Sequence, residues 1–201
     1  MKLYYSPGSC SLSPHIALRE AGIAFDLVKV DNASKKLPDG ADYNAVNAKG
    51  YVPCLELDGG ERLTEGPAIV QYIADLAPKS KLAPPPGTLA RARLQEWLNF
   101  VTSELHKGFS PLFASNTPDQ YKLIAKDKLM TRLRFADAAL ERQPFLLGDG
   151  FTVADAYLFV VASWAKHVNV DLSQLGSLVA FSKRVAERPA VREALRAEGL
   201  A

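Results

Sequence analysis

The stretch KLYYSPGSCSLSPHIALREAGIAFDLVKVD, residues 2–31, decides how the chain is organised. KLYYS has the β-prone residues of a short strand, and SPGS is a turn, because Pro7 fixes φ and Gly8 permits a positive one. LSPHIALREAG then reads as a helix: Pro14 is tolerable only in a first turn, Ile16, Ala17 and Ala21 face inward, and Gly22 supplies the C-terminal stop. AFDLVKVD, residues 24–31, is a second strand, with Phe25 and Leu27 on one side and Val28 and Val30 on the other. Strand, helix and strand in this order imply two parallel strands joined by a right-handed crossover.

After a polar segment, residues 32–50, with a short helix expected near Tyr43 to Val46, YVPCLELDGGERLTEG offers two strands around an Asp-Gly-Gly turn, a hairpin signal. GPAIVQYIADLAP follows, with Ile69, Val70, Ile73 and Leu76 at helical spacing. The order β-α-β, then β-β-α, is the layout of a thioredoxin-like α/β domain, expected over residues 1–78. APKSKLAPPPGT concentrates Pro, Lys and Gly, and residues 79–87 within it read as a linker. Residues 88–201 read as an all-helical bundle: Leu94, Trp97, Leu98, Val101 and Leu105 give one apolar stripe, and Leu123 to Leu140 a second amphipathic stretch. TVADAYLFVVASWAKHV is almost wholly apolar and belongs at the bundle centre.

Composition narrows the function classes. With 48% apolar residues in 201, the chain has ample material for a packed core. A net charge of +2, from 24 basic and 22 acidic side chains with no basic block, gives no electrostatic footprint for nucleic acid. The start lacks a charged-then-apolar leader, and the apolar run around Ala156 to Ala165 is short of a bilayer span, so neither export nor membrane insertion is expected. Two cysteines, Cys10 and Cys54, fit a reducing cytoplasm better than a disulfide framework. His15, His106 and His167 are scattered, with no CxxC or HExxH pattern, so no metal site is expected.

Several features are of the kind that carries chemistry. Cys10 stands at the entrance to a helix, where free amides and the helix dipole favour thiolate; it is equally a small packing residue at a joint. Ser13 stands where a dithiol pair would need its second cysteine, so any redox chemistry takes its other sulfur from a ligand. Pro53 opens a strand, which a cis Val52–Pro53 bond resolves by turning the Val52 backbone toward a bound peptide, or which a trans edge-strand proline explains without a ligand. Glu65 and Gly66, before Pro67, make a helix N-terminus suited to the ammonium and carboxylate of an amino acid, or simply a helix cap. Asn99, Ser103 and His106, spaced i, i+4, i+7, form a polar stripe beside the apolar one; it lines a cleft or is a solvated face. His106 stands out, as a hydrogen-bond donor to a thiolate or a proton shuttle near neutral pH. Thr152 and Asp155 read as a capping box, and Trp164 and His167 as core and helix end, or as walls of an apolar substrate pocket.

YYSPGSCSLSPHIALREAG, NAKGYVPCLELDGG, LTEGPAIVQYIAD, EWLNFVTSELHK and LLGDGFTVADAYLF, in this order and separation, resemble the cytosolic glutathione S-transferases, and within them the bacterial beta class. The resemblance covers essentially the whole length. It implies a thioredoxin-like domain that binds glutathione as co-substrate, an all-helical domain that supplies the electrophile pocket, and a homodimer. It places Cys10 beside the glutathione sulfur, Lys35 on the glycyl carboxylate, Val52 with cis Pro53 on the cysteinyl backbone, and Glu65 with Gly66 on the γ-glutamyl end. His106 and Lys107 fall near the sulfur, Asn99, Ser103 and Glu104 reach into the partner subunit's site, and Tyr5, Phe109, Trp164 and His167 line the electrophile pocket. The implied activity is conjugation of glutathione to small hydrophobic electrophiles, with mixed-disulfide chemistry at Cys10. A thioltransferase, a reductive dehalogenase and a non-catalytic glutathione-binding protein are the alternatives on the same scaffold.

Overall fold

The computed structural model describes residues 1–201. Two compact units divide the chain: Met1–Ala83 together with Arg188–Ala201, and Pro84–Glu187. The C-terminal segment, expected with the helical bundle, therefore belongs to the first unit.

The first unit is built on a four-stranded sheet in the order β2-β1-β3-β4, from β1 (Lys2–Tyr5), β2 (Asp26–Lys29), β3 (Cys54–Glu56) and β4 (Arg62–Thr64). β1 and β2 run parallel, while β3 is antiparallel to both β1 and β4, so the β-α-β opening and the hairpin form as the sequence implies. α1 (Leu12–Glu20) is the crossover, and it stops where Gly22, at φ 66°, lets the Ile23 amide turn back to the Leu18 carbonyl at 3.1 Å. Side-chain alternation divides the sheet. Tyr4, Val52 and Cys54 bury one face with Val30 and Tyr43, the latter from a short 3₁₀ turn at Tyr43–Ala45. Leu3 and Leu55, a cross-strand pair, are fully buried on the other face.

α1 packs against α2 (Gly66–Leu76) and against α8 (Pro189–Ala197). Three polar contacts join α8 and its end to α1. Arg188 pairs bidentately with Glu20 at 2.6 and 2.8 Å, Arg19 donates to Glu193 at 3.3 Å, and His15 Nδ1 lies 2.8 Å from Glu198 Oε1.

The second unit comprises α3 (Leu89–Phe100), a π-helical stretch (Val101–His106), α4 (Lys107–Phe113), α5 (Asp119–Leu140), α6 (Val153–Ser163), a 3₁₀ turn (Trp164–Val168) and α7 (Gly176–Ala186). α6 is buried from Val153 through Ala162, as its apolar sequence requires. Leu94, Leu98, Val101 and Leu105 are buried as a stripe, but Trp97 is only half-buried. It packs instead on Phe100 and Phe135, at 5.6 and 5.7 Å between ring centroids. The capping box forms: Asp155 accepts the Thr152 amide and hydroxyl, each at 2.8 Å, and also the Leu146 amide at 2.7 Å.

Candidate active site

In the first unit the candidate residues converge on two neighbouring turns. The Ser6–Ser11 turn is tied by Ser11, whose Oγ donates to the Ser6 carbonyl at 3.2 Å and accepts the Ser6 amide at 3.1 Å. Cys10, half-buried, donates its thiol hydrogen to the Val52 carbonyl at 3.3 Å. The first-turn amides are also occupied: Leu12 donates to the Ser9 carbonyl at 3.0 Å and Ser13 to the Cys10 carbonyl at 3.2 Å. Cys54 lies in the core with no exposed surface, and burial pushes its thiol pKa up, which makes it a packing residue.

The Val52–Pro53 peptide is cis. Just upstream, Lys35 adopts φ 56° and its Nζ donates to the Gly50 carbonyl at 2.8 Å, 5.6 Å from the centre of the exposed Tyr51 ring. Lys35, rather than its neighbour Lys36, therefore reaches the turn that leads into Val52. Glu65 sits at φ 71° before α2, its carbonyl accepting the Ala68 and Ile69 amides at 3.0 Å each. Pro67 has no amide hydrogen, and the Gly66 amide in the first turn has no helical carbonyl behind it to reach. Such a helix end can receive an anion or serve simply as a cap, the two readings that the sequence left open. The Glu65 carboxylate is paired with Lys49, a residue sequence reasoning passed over.

In the second unit the polar stripe splits. A π-helical turn closes i→i+5 bonds and is wider than an α turn, so residues three apart diverge further around the axis. Asn99 and Ser103 are exposed, and Ser103 Oγ donates to the Asn99 carbonyl at 3.0 Å. His106 turns inward to share a 2.6 Å hydrogen bond between its Nδ1 and the Tyr157 hydroxyl, with its ring edge-on to Trp164 at 4.8 Å. Burial lowers its pKa to about 4, with a smaller push from Lys107, so His106 is neutral at physiological pH. It is suited to hydrogen bonding there, and not to shuttling protons. Tyr157 was hidden in sequence inside an apolar helix, where it reads as core.

Ser103, Glu104 and Lys107 border a separate groove of about 500 Å³ against α5, where Arg132 donates to Glu104 at 2.7 Å. The expected electrophile walls fare unevenly. Phe109 is wholly buried and Tyr5 nearly so, with Tyr5 packed beside the His15 ring, so these two act as core. A side chain without exposed surface lines no pocket. Trp164 is mostly buried against His106 and Phe109, and His167 is exposed on the 3₁₀ turn. Phe113, half exposed and 6.0 Å from the Trp164 ring, is the apolar surface on this side that the sequence pattern did not single out.

Comparison with known proteins bears on this arrangement. The glutathione S-transferase N-terminal domain matches residues 8–76, and the glutathione S-transferase C-terminal domain matches residues 100–189. Glutathione S-transferase GstA of Escherichia coli O157:H7 is 50% identical over 200 residues, spanning 100% of each chain. The chain belongs to the glutathione S-transferase family. The solved ternary complex of BphK, a bacterial glutathione S-transferase, superposes with a TM-score of 0.98 at 60% identity over 100% of each chain. The bacterial beta class glutathione S-transferase of Sphingomonas chungbukensis does so with a TM-score of 0.97 at 51% identity, again over 100% of each. Glutathione S-transferases are transferase enzymes, and the fold of this one is theirs: a thioredoxin-like α/β unit with an all-helical one. No grouping of three His, Cys, Asp or Glu side chains in this glutathione S-transferase could hold a metal ion, and none of its helices is long and apolar enough to cross a membrane.

Proposed function

We propose that the protein transfers the thiolate of glutathione to small hydrophobic electrophiles, with Cys10 supplying a separate mixed-disulfide chemistry. The observation that supports this best is the Cys10 thiol resting on the Val52 carbonyl at 3.3 Å. That carbonyl is an acceptor for the amide of a bound peptide. A peptide thiol docked there displaces the Cys10 hydrogen bond and brings its own sulfur beside Cys10. Lys35 takes the glycyl carboxylate, the Val52 and Pro53 backbone takes the cysteinyl residue, and Glu65 with Gly66 takes the γ-glutamyl end.

Conjugation needs the ligand sulfur as thiolate at neutral pH. Cys10 is ill suited to be its base, since two thiolates side by side repel and compete for one proton. Neutral His106, held by Tyr157, instead gives a hydrogen bond to the developing thiolate, with Lys107 contributing positive potential. Trp164 and Phe113 offer apolar surface to the electrophile. In disulfide reduction, the Cys10 sulfur attacks a glutathionylated disulfide, the S–S bond breaks and the other sulfur leaves with a proton. A second glutathione thiol then attacks the mixed disulfide, restoring Cys10 and forming oxidised glutathione. The unit of function is a homodimer in a reducing cytoplasm, with Asn99, Ser103 and Glu104 completing the partner subunit's site.

Cys10→Ala should keep most conjugation of a simple aryl halide and lose glutathione-dependent disulfide reduction, measured side by side. Loss of both together would refute the division of labour. His106→Phe should lower conjugation kcat by about a hundredfold to a thousandfold, the range of a single lost transition-state donor. A half-buried thiol that forms no disulfide also favours a thioltransferase as second reading. It would be preferred if oxidised glutathione, and no stable adduct, formed from every substrate tried.

A further inference from the structure

Lys49 reaches from the turn before Val52 to the junction of β4 and α2. Its Nζ donates to Thr64 Oγ1 at 3.0 Å and to Glu65 Oε1 at 2.5 Å. The turn that presents it is tightly built. Buried Asn47 accepts the Lys49 amide at 3.1 Å and donates to the Tyr51 carbonyl at 2.7 Å, and the Tyr43 hydroxyl donates to the same carbonyl at 2.9 Å. Gly50, at φ 68°, has Asn44 Oδ1 only 2.9 Å from where a Cβ would stand, so the turn admits no larger residue at that point without rearrangement. Glu65 is also presented from fixed backbone, since its carbonyl starts α2. Both side chains remain more than half exposed, at 51% and 66%.

The head of an α-amino acid carries an ammonium and a carboxylate on one carbon. A lysine and a glutamate already paired in solvent are complementary to it, because each charge trades its partner for the opposite end of the zwitterion. The exchange leaves the net charge unchanged and gives up only an exposed ion pair, which is itself weak. We propose that Lys49 is a specificity-determining residue for the γ-glutamyl head: it holds the Glu65 carboxylate in the unliganded protein and pairs with the ligand's α-carboxylate when the ammonium takes Glu65. This rests on the glutathione-binding reading above and adds a requirement for a free α-carboxylate on the γ-linked residue.

The test is calorimetric titration of the parent protein, Lys49→Met and Lys49→Arg with two peptides, glutathione and its analogue 4-aminobutyryl-cysteinyl-glycine, which lacks only that carboxylate. The proposal expects Lys49→Met to bind glutathione about fivefold to tenfold more weakly, a charge-assisted contact's worth at an exposed site, and Lys49→Arg to stay within about twofold of the parent. The analogue should bind the parent and Lys49→Met alike. Unchanged or tighter glutathione binding by Lys49→Met would overturn the proposal, since it would make Lys49 a bystander or a competitor for Glu65. An equal loss for both peptides would overturn it too, by reducing Lys49 to a support for the turn. A parent protein that fails to bind glutathione would instead refute the underlying reading, and is told apart because no variant is needed to see it.

Discussion

His106 and Asp155 are buried in the same helical unit, and burial moves their titrations in opposite directions. Neutral His106 is favoured in the folded chain, with its pKa lowered to about 4 from 6.5. Its stability contribution is present above about 6.5 and is lost as pH falls toward 4, because the unfolded chain takes up a proton that the folded one refuses. Asp155 is pushed up to about 6 from 3.8 by burial, against the pull of its hydrogen bonds, that from the Leu146 amide foremost. Its contribution is full below about 3.8 and is lost as pH rises through 6, because the folded chain keeps a proton that the unfolded one releases. Each span corresponds to about 3 kcal/mol, so the two slopes nearly cancel between pH 4 and 6. Removing either one uncovers the other. His106→Gln should lose stability relative to the parent as pH rises from 4 to 6, and Asp155→Asn should gain it, each by about 2–3 kcal/mol in urea unfolding midpoints converted to free energy. Parallel curves for all three proteins would show that neither titration is coupled to folding.

At the scale of elements, α8 is the segment that the sequence placed in the wrong unit. Its tie to α1 rests on contacts such as His15 to Glu198, 183 residues apart, and no local periodicity carries that information. Glu198 is fully buried and takes two bonds: from His15 Nδ1 at 2.8 Å and from the Gly8 amide at 2.9 Å, in the turn that leads to Cys10. Arg19 Nε donates to His15 Nε2 at 2.9 Å, which fixes the His15 proton on Nδ1, facing the carboxylate. Glu198→Ala strands a buried imidazole N–H and removes the carboxylate that the Gly8 amide donates to. It should cost about 3 kcal/mol, or roughly 6–12 °C in Tm, and should raise the KM for glutathione through the loosened Gly8 turn. Thermal unfolding beside steady-state kinetics checks both; a Tm within a degree of the parent would remove Glu198 from the account. The sequence was more eloquent where punctuation is local. Pro7, Gly8 and Gly22 delimited β1 and α1, and Asp58, Gly59 and Gly60 the hairpin, because turn chemistry acts within a few residues. The π-helical turn at Val101–His106 left no such mark, and so the stripe of Asn99, Ser103 and His106 came apart in the fold. Lys49 and Tyr157 were missed for a related reason: each acquires its role from a side chain brought near only by folding.

At the scale of the whole molecule, the sequence speaks through the order of its motifs, which carried the family, and is silent on how copies combine. Glu104 is held by Arg132 of its own chain at 2.7 Å, at the edge of the α5 groove, so a role in the partner subunit's site requires that pair to share its carboxylate. Mixed dimers separate this arrangement from a site made by one chain. In the proposed homodimer, Glu65→Ala and Glu104→Ala should each impair both sites, since every proposed site then lacks one of its two carboxylates. In a heterodimer of the two variants, a shared-site arrangement gathers both defects into one site and leaves the other with a native Glu65 from one chain and a native Glu104 from its partner. Purified through two different tags, that heterodimer should recover about half the conjugation activity of the parent dimer, with the parent's KM for glutathione. If each site were built within one chain, the heterodimer would hold two defective sites and stay as impaired as the homodimers.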